Sequence, residues 1–107
     1  MKKYLILLLC LIIGAESYAQ KIKVACVGNS ITFGAGISNR AKDSYPAQLQ
    51  KLLGDEYEVR NFGVSGTTAL YNGITPYVQT SQYRESLEFN PDIVFIKFGT
   101  NDAGVRN

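Results

Sequence analysis

Three short stretches of this sequence hold residue types that could do chemistry together. Gly28-Asn29-Ser30-Ile31 places a serine directly after the apolar run Val24-Ala25-Cys26-Val27. Asn61-Phe62-Gly63-Val64-Ser65-Gly66 offers glycines, whose missing Cβ leaves a backbone N–H open to a substrate oxygen. Gly99-Thr100-Asn101-Asp102 offers a carboxamide with two donor hydrogens. A hydroxyl, an open backbone N–H and a carboxamide are the minimum for acyl transfer, a nucleophile plus donors for the oxyanion it creates. Each stretch also has a plainer reading. Ser30 can be a turn serine capping a short helix from Ile31, the glycine segment a flexible turn, and Asn101 a helix cap or Asx turn. Position favours the chemical reading, because all three stretches follow strand-like runs. In open α/β sheets, ligands bind at the carboxyl ends of the strands.

The elements that must position these residues can be read in order. Ile22 to Val27 is expected to be a strand, apolar on both faces and so covered on both sides. Ser30 to Asn39 reads as a loop, and Arg40 to Asp43 as a polar, exposed run. Ser44 is placed as an N-cap, with Pro46 in the first turn of a helix over Tyr45 to Leu53. Tyr45, Leu49, Leu52 and Leu53 make its apolar stripe, and Gly54 ends it. Tyr57 to Phe62 alternates apolar and charged residues, the pattern of a half-exposed or edge strand. After a loop rich in Gly, Ser and Thr, Thr75-Pro76 can start another helix, with Tyr83 and Leu87 paired on a segment ending near Glu88. Ile93 to Phe98 is apolar except for Lys97 and is expected to lie centrally in the sheet. Alternating strands and helices predict an α/β fold with a parallel sheet.

Composition narrows the chemistry. The 107 residues are 46% hydrophobic and 19% charged, an ordinary globular balance that fits one domain at most. A net charge of +2, partly from Lys2-Lys3, gives no case for nucleic acid. The sequence contains no histidine, so a Ser–His pair cannot be completed from these residues alone. With only three strands read, and the third apolar enough to want neighbours on both sides and cover on both faces, the expectation is a truncated domain.

Phosphate-binding readings fail. Gly28 to Gly34 lacks the Gly-Lys-Ser/Thr ending of a phosphate loop. Gly34-Ala35-Gly36 lies too far from the strand for a dinucleotide fingerprint, and Asn39 stands where that fingerprint needs glycine. Thr32 stands where a Gly-x-Ser-x-Gly elbow needs its second glycine.

The amino terminus has the layout of a secretory signal peptide over residues 1–19. Met1-Lys2-Lys3 is basic, Tyr4 to Ile13 is apolar, and Ser17-Tyr18-Ala19 is a small-x-small cleavage site. A membrane anchor or buried helix is the alternative, but the apolar run is short for a bilayer. Leu9 before Cys10 is not the small residue that lipidation requires. Cleavage leaves Cys26, a strand cysteine expected to behave as a small hydrophobe. The layout implies export to the periplasm or the medium, with no membrane contact after cleavage.

Taken together, Gly28-Asn29-Ser30-Ile31, Asn61-Phe62-Gly63-Val64-Ser65-Gly66-Thr67-Thr68 and Gly99-Thr100-Asn101-Asp102 resemble, in order and spacing, the first three blocks of the SGNH (GDSL-type) hydrolases. The resemblance covers residues 20–107 and implies a three-layer α/β/α, flavodoxin-like fold of which the first three strands are present. It implies an esterase with Ser30 as nucleophile and oxyanion donors at Ser30 N–H, Gly66 N–H and the Asn101 amide. It implies no metal and no cofactor. The family's Asp-x-x-His block has no counterpart in this sequence, and Asp102 is not its carboxylate. Asn29 stands where many members have Asp, a position expected to do local turn bonding. The finer pattern is similar to exported carbohydrate esterases, including sialate O-acetylesterase-like proteins, which implies a small ester or acetylated glycan as substrate. Tyr71 and Tyr77 are candidates for a sugar cleft or, equally, for packing. The competing class is a non-catalytic carbohydrate-binding or structural module without a base.

Overall fold

The computed structural model describes residues 19–104. The signal-peptide reading falls almost wholly on residues outside that range.

β1 (Ile22–Gly28) is the middle strand of a parallel three-stranded sheet of order β2-β1-β3. On one side it pairs with β2 (Tyr57–Asn61), setting Val24 against Val59 and Cys26 against Asn61. On the other it pairs with β3 (Ile93–Lys97), setting Val24 against Ile93 and Gly28 against Lys97. The alternation of a strand sends Val24 and Cys26 to one face and Ala25 and Val27 to the other. Ala25 and Val27 join Phe62, Tyr77 and Phe89 in a buried cluster. Fully burying one such aromatic contributes about 1.5–3 kcal/mol, so this face anchors the domain.

The elements between strands are helical. α1 (Ser30–Phe33) and α2 (Arg40–Asp43) are single turns. α3 (Tyr45–Leu53) follows with Ser44 at its N-cap and Pro46 in its first turn, where a missing N–H leaves no bond unmade. α3 packs on β2 and brings the Tyr45 hydroxyl to the Cys26 side of the sheet. α4 (Ser81–Glu88) carries Tyr83, which packs on the Ala25–Val27 cluster of the opposite face. Helices on both faces of a parallel sheet make this an α/β fold in layers.

β2 lies at an edge, as its alternation implies, and the structure shows how that edge is managed. Gln50 of α3 donates from Nε2 to Tyr57 O at 2.9 Å and Gly54 O at 3.1 Å, and its Oε1 accepts from Val59 N at 2.8 Å. One side chain thereby satisfies backbone groups that an unpaired edge leaves open.

Three expectations need correction. β3 is not central within the described sheet: only β1 pairs with it, and Ile96 is 72% exposed. Two-sided apolarity reports that a strand needs cover, not which strands flank it. Ser30 to Asn39 is not loop throughout, because its first turn is helical. The polar run Arg40 to Asp43 is exposed, as expected, and forms a helical turn. The segment at Thr75-Pro76 opens as a 3₁₀ turn, Tyr77–Gln79, before α4 begins under the cap of Thr80.

Candidate active site

The carboxyl ends of parallel neighbours lie along one edge of a sheet, so the β2-β1-β3 order gathers the segments after these strands. Ser30 is the first residue of α1, two residues beyond the end of β1. Gly66 lies in the loop after β2, and Asn101 in α5 (Thr100–Gly104) after β3.

Hydrogen bonds knit these segments together. Val64 N donates to Gly28 O at 3.0 Å, and Asn29 N donates to Lys97 O at 3.3 Å. The residues flanking Ser30 and Gly66 are thereby tied to each other and to β3. Asn61 adds a second tie, donating from Nδ2 to Thr32 O at 2.9 Å and accepting at Oδ1 from Gly63 N at 2.9 Å. Gly63 must be glycine for this approach. A Cβ there would lie 2.8 Å from Phe33 Cα and collide with the Phe33 backbone nitrogen.

Ser30 owes its place to Asn29. The Asn29 side chain is 1% exposed and caps α1, its Oδ1 accepting from Ile31 N at 3.1 Å. This is the local turn bonding expected of it. Among the described residues its Nδ2 has no partner. Among the same residues neither Ser30 N–H nor Gly66 N–H donates to a backbone or side-chain acceptor. Free N–H groups are normal in the first turn of a helix, and they suit an anion. Gly66 has φ of +81°, and a Cβ there would meet nothing within 4 Å, so its surroundings are open.

Asn101 sits against the Gly66 loop. Its Nδ2 donates one hydrogen to Thr67 O at 2.8 Å, leaving the second for another acceptor. Thr67 in turn donates from Oγ1 to Val64 O at 2.7 Å, closing the turn that contains Gly66. The next residue, Asp102, accepts from Leu70 N at 2.9 Å and Ala69 N at 3.2 Å. The Leu70 bond is the main cause holding its carboxyl below the usual carboxylate range, against an opposing effect of desolvation. Sequence reading missed both Asp102 and Asn61 as site-building residues. The Asp102 partners lie more than 30 positions away and leave no local signal.

Tyr77 and Tyr71 separate. Tyr77 is buried and donates to Phe62 O at 2.7 Å, and burial pushes its phenol up to about 12, so it is a core residue, and it also lines the apolar groove between α4 and β3. Tyr71 is exposed on the loop that follows Gly66. Cys26 is fully buried and its thiol is pushed up by burial, consistent with a packing role. An apolar groove of about 430 Å³ lies between α4 and β3, lined by Leu87, Val94 and Ile96, and takes in none of Ser30, Gly66 and Asn101. Among the described residues no three His, Cys, Asp or Glu side chains gather to hold a metal ion, and no helix is long and apolar enough to cross a membrane.

Comparison with known proteins decides the family. Residues 26–107 match the model of the GDSL-like lipase/acylhydrolase family. The chain belongs to the GDSL-like lipase/acylhydrolase family. An acetylxylan esterase of Xylanibacter ruminicola is 56% identical over 86 residues, 80% of this chain and 18% of that protein. The chain thus spans about a fifth of the length of this relative. No solved structure matches it significantly.

Proposed function

We propose that this chain is the amino-terminal part of an exported carbohydrate esterase that removes small acyl groups, acetyl above all. The observation that carries the reading is the set of unengaged donors at one sheet edge: Ser30 N–H, Gly66 N–H and the second amide hydrogen of Asn101. In this reading residues 1–19 are a cleaved signal peptide and residues 20–107 begin the hydrolase domain. Ser30 Oγ attacks the ester carbonyl, and a histidine outside this sequence takes its proton. The tetrahedral oxyanion rests on the three donors. Collapse expels the sugar alcohol, which receives the proton, and water then releases the acyl group from Ser30. Neither metal nor cofactor enters. The relative named an acetylxylan esterase supports an acetylated glycan as substrate. Tyr71, exposed on the loop that follows Gly66, offers an aromatic face of the kind that stacks on sugar rings.

A second reading keeps one specific observation in its favour. The sequence has no histidine, so a non-catalytic carbohydrate-binding module is consistent with these residues alone. The two readings part on the gene. An in-frame Asp-x-x-His downstream, with hydrolysis of p-nitrophenyl acetate and acetylated xylan by the complete gene product and loss of both in Ser30→Ala, supports the esterase. Glycan binding without turnover supports the module.

A further inference from the structure

We propose that Asp102 is a positioning residue for the oxyanion donors, gripping the backbone of the Gly66 loop so that Gly66 N–H and the Asn101 amide face the same point. The inference rests on the esterase reading and extends it to a residue with no part in the chemistry itself.

Two adjacent side chains of α5 hold one loop through opposite kinds of group. Asn101 takes a carbonyl, donating to Thr67 O at 2.8 Å. Asp102 takes amides, its Oδ1 accepting from Leu70 N at 2.9 Å and its Oδ2 from Ala69 N at 3.2 Å. Bonds to an ionised acceptor are stronger than neutral ones, and two oxygens on two successive N–H groups fix direction as well as distance. The held segment, Thr67 to Leu70, begins one residue after Gly66. Thr67 is also tied back to Val64 through its hydroxyl at 2.7 Å. Gly66 has no acceptor for its N–H among the described residues and sits inside the turn that Thr67 closes back onto Val64. Its orientation follows that of this turn, which Asn101 grips at Thr67 O and Asp102 grips at the next two N–H groups. A carboxylate is required because both oxygens must accept. In Asp102→Asn one oxygen becomes an NH₂ aimed at a backbone N–H, donor against donor.

The test uses the complete gene product. Asp102→Asn is expected to lower kcat for p-nitrophenyl acetate by about 10- to 100-fold, the scale of a small misplacement of catalytic groups, with KM little changed. Asp102→Glu, which restores both acceptors, is expected to recover kcat above the Asn variant. In an Asn101→Ala background the same Asp102→Asn change is expected to have less than its full effect, because both act on one oxyanion site. A kcat within twofold of wild type for Asp102→Asn overturns the proposal. So does an undiminished effect in the Asn101→Ala background. Should the wild-type protein prove inactive, the esterase reading fails by itself, and the grip is read by amide exchange. Ala69 and Leu70 N–H are expected to lose protection in Asp102→Asn, and unchanged protection refutes the grip.

Discussion

Gly63→Ala adds one methyl group at the closest approach between the β2 loop and α1. Gly63 does not have a positive φ, so alanine meets no backbone penalty there and the perturbation is steric. The added Cβ would stand 2.8 Å from both Phe33 Cα and the Thr32 carbonyl carbon. Ordinary contact begins near 3.4 Å, so the two backbones must part by at least about half an ångström. Neither neighbour is a flexible side-chain end. Overpacking of this kind costs about 1–3 kcal/mol, which urea unfolding of the complete gene product reads as a lower midpoint at unchanged slope. The separation also falls between Ser30 and Gly66, since Asn61 and Gly63 hold the Gly66 loop against α1. An ångström of misplacement costs on the order of 100-fold in rate, so half of that predicts a kcat loss of about 10-fold. Gly66→Ala serves as contrast: its Cβ meets open space, but its φ of +81° costs about 1–2 kcal/mol. A Gly63→Ala protein with wild-type stability and wild-type kcat would refute the argument that these backbones are in contact.

Asn101→Ala removes one bond to Thr67 O and the free amide hydrogen together. The first predicts about 1 kcal/mol of lost stability, and the second a kcat for p-nitrophenyl acetate lower by about 100-fold or more with KM comparatively unchanged. Asn29→Ala strips the cap of α1 and is expected to cost about 1 kcal/mol in urea unfolding. Tyr77 sets an alkaline limit. Its phenol is raised by burial from 10.0 to about 12, so the fold favours the neutral form. That contribution is fully present below pH 10 and is lost as pH rises towards 12, so unfolding midpoints should fall across this window in wild type and less so in Tyr77→Phe.

Local signals made part of the fold legible. α3 was readable to its ends because Pro46 lies in its first turn and Gly54 caps it, although Leu52 of the expected apolar stripe is exposed. The edge position of β2 was readable because Glu58 and Arg60 alternate with Tyr57 and Val59. The place of β3 was not, since apolarity on two faces does not name a strand's neighbours. α1 and α2 escaped because four-residue turns leave no periodicity. At the site, a serine, glycines and an asparagine stood out as residue types after strands, and the family resemblance pointed to Ser30, Gly66 and Asn101 among them. Asn61 and Asp102 did not, because their work is defined by partners on other segments, at Thr32 and at Ala69 and Leu70. The packing role of Tyr77 was likewise set by Phe62, on the far side of the glycine-rich loop.

The central claim is that three donors from three strand ends serve one oxygen at Ser30. A crystal structure of the complete gene product carrying a phosphonate ester on Ser30 tests it most directly. The account predicts a phosphoryl oxygen within about 3 Å of Ser30 N, Gly66 N and Asn101 Nδ2 at once. An adduct whose oxygen turns away from Gly66 and Asn101, or a Ser30 that does not react, contradicts it.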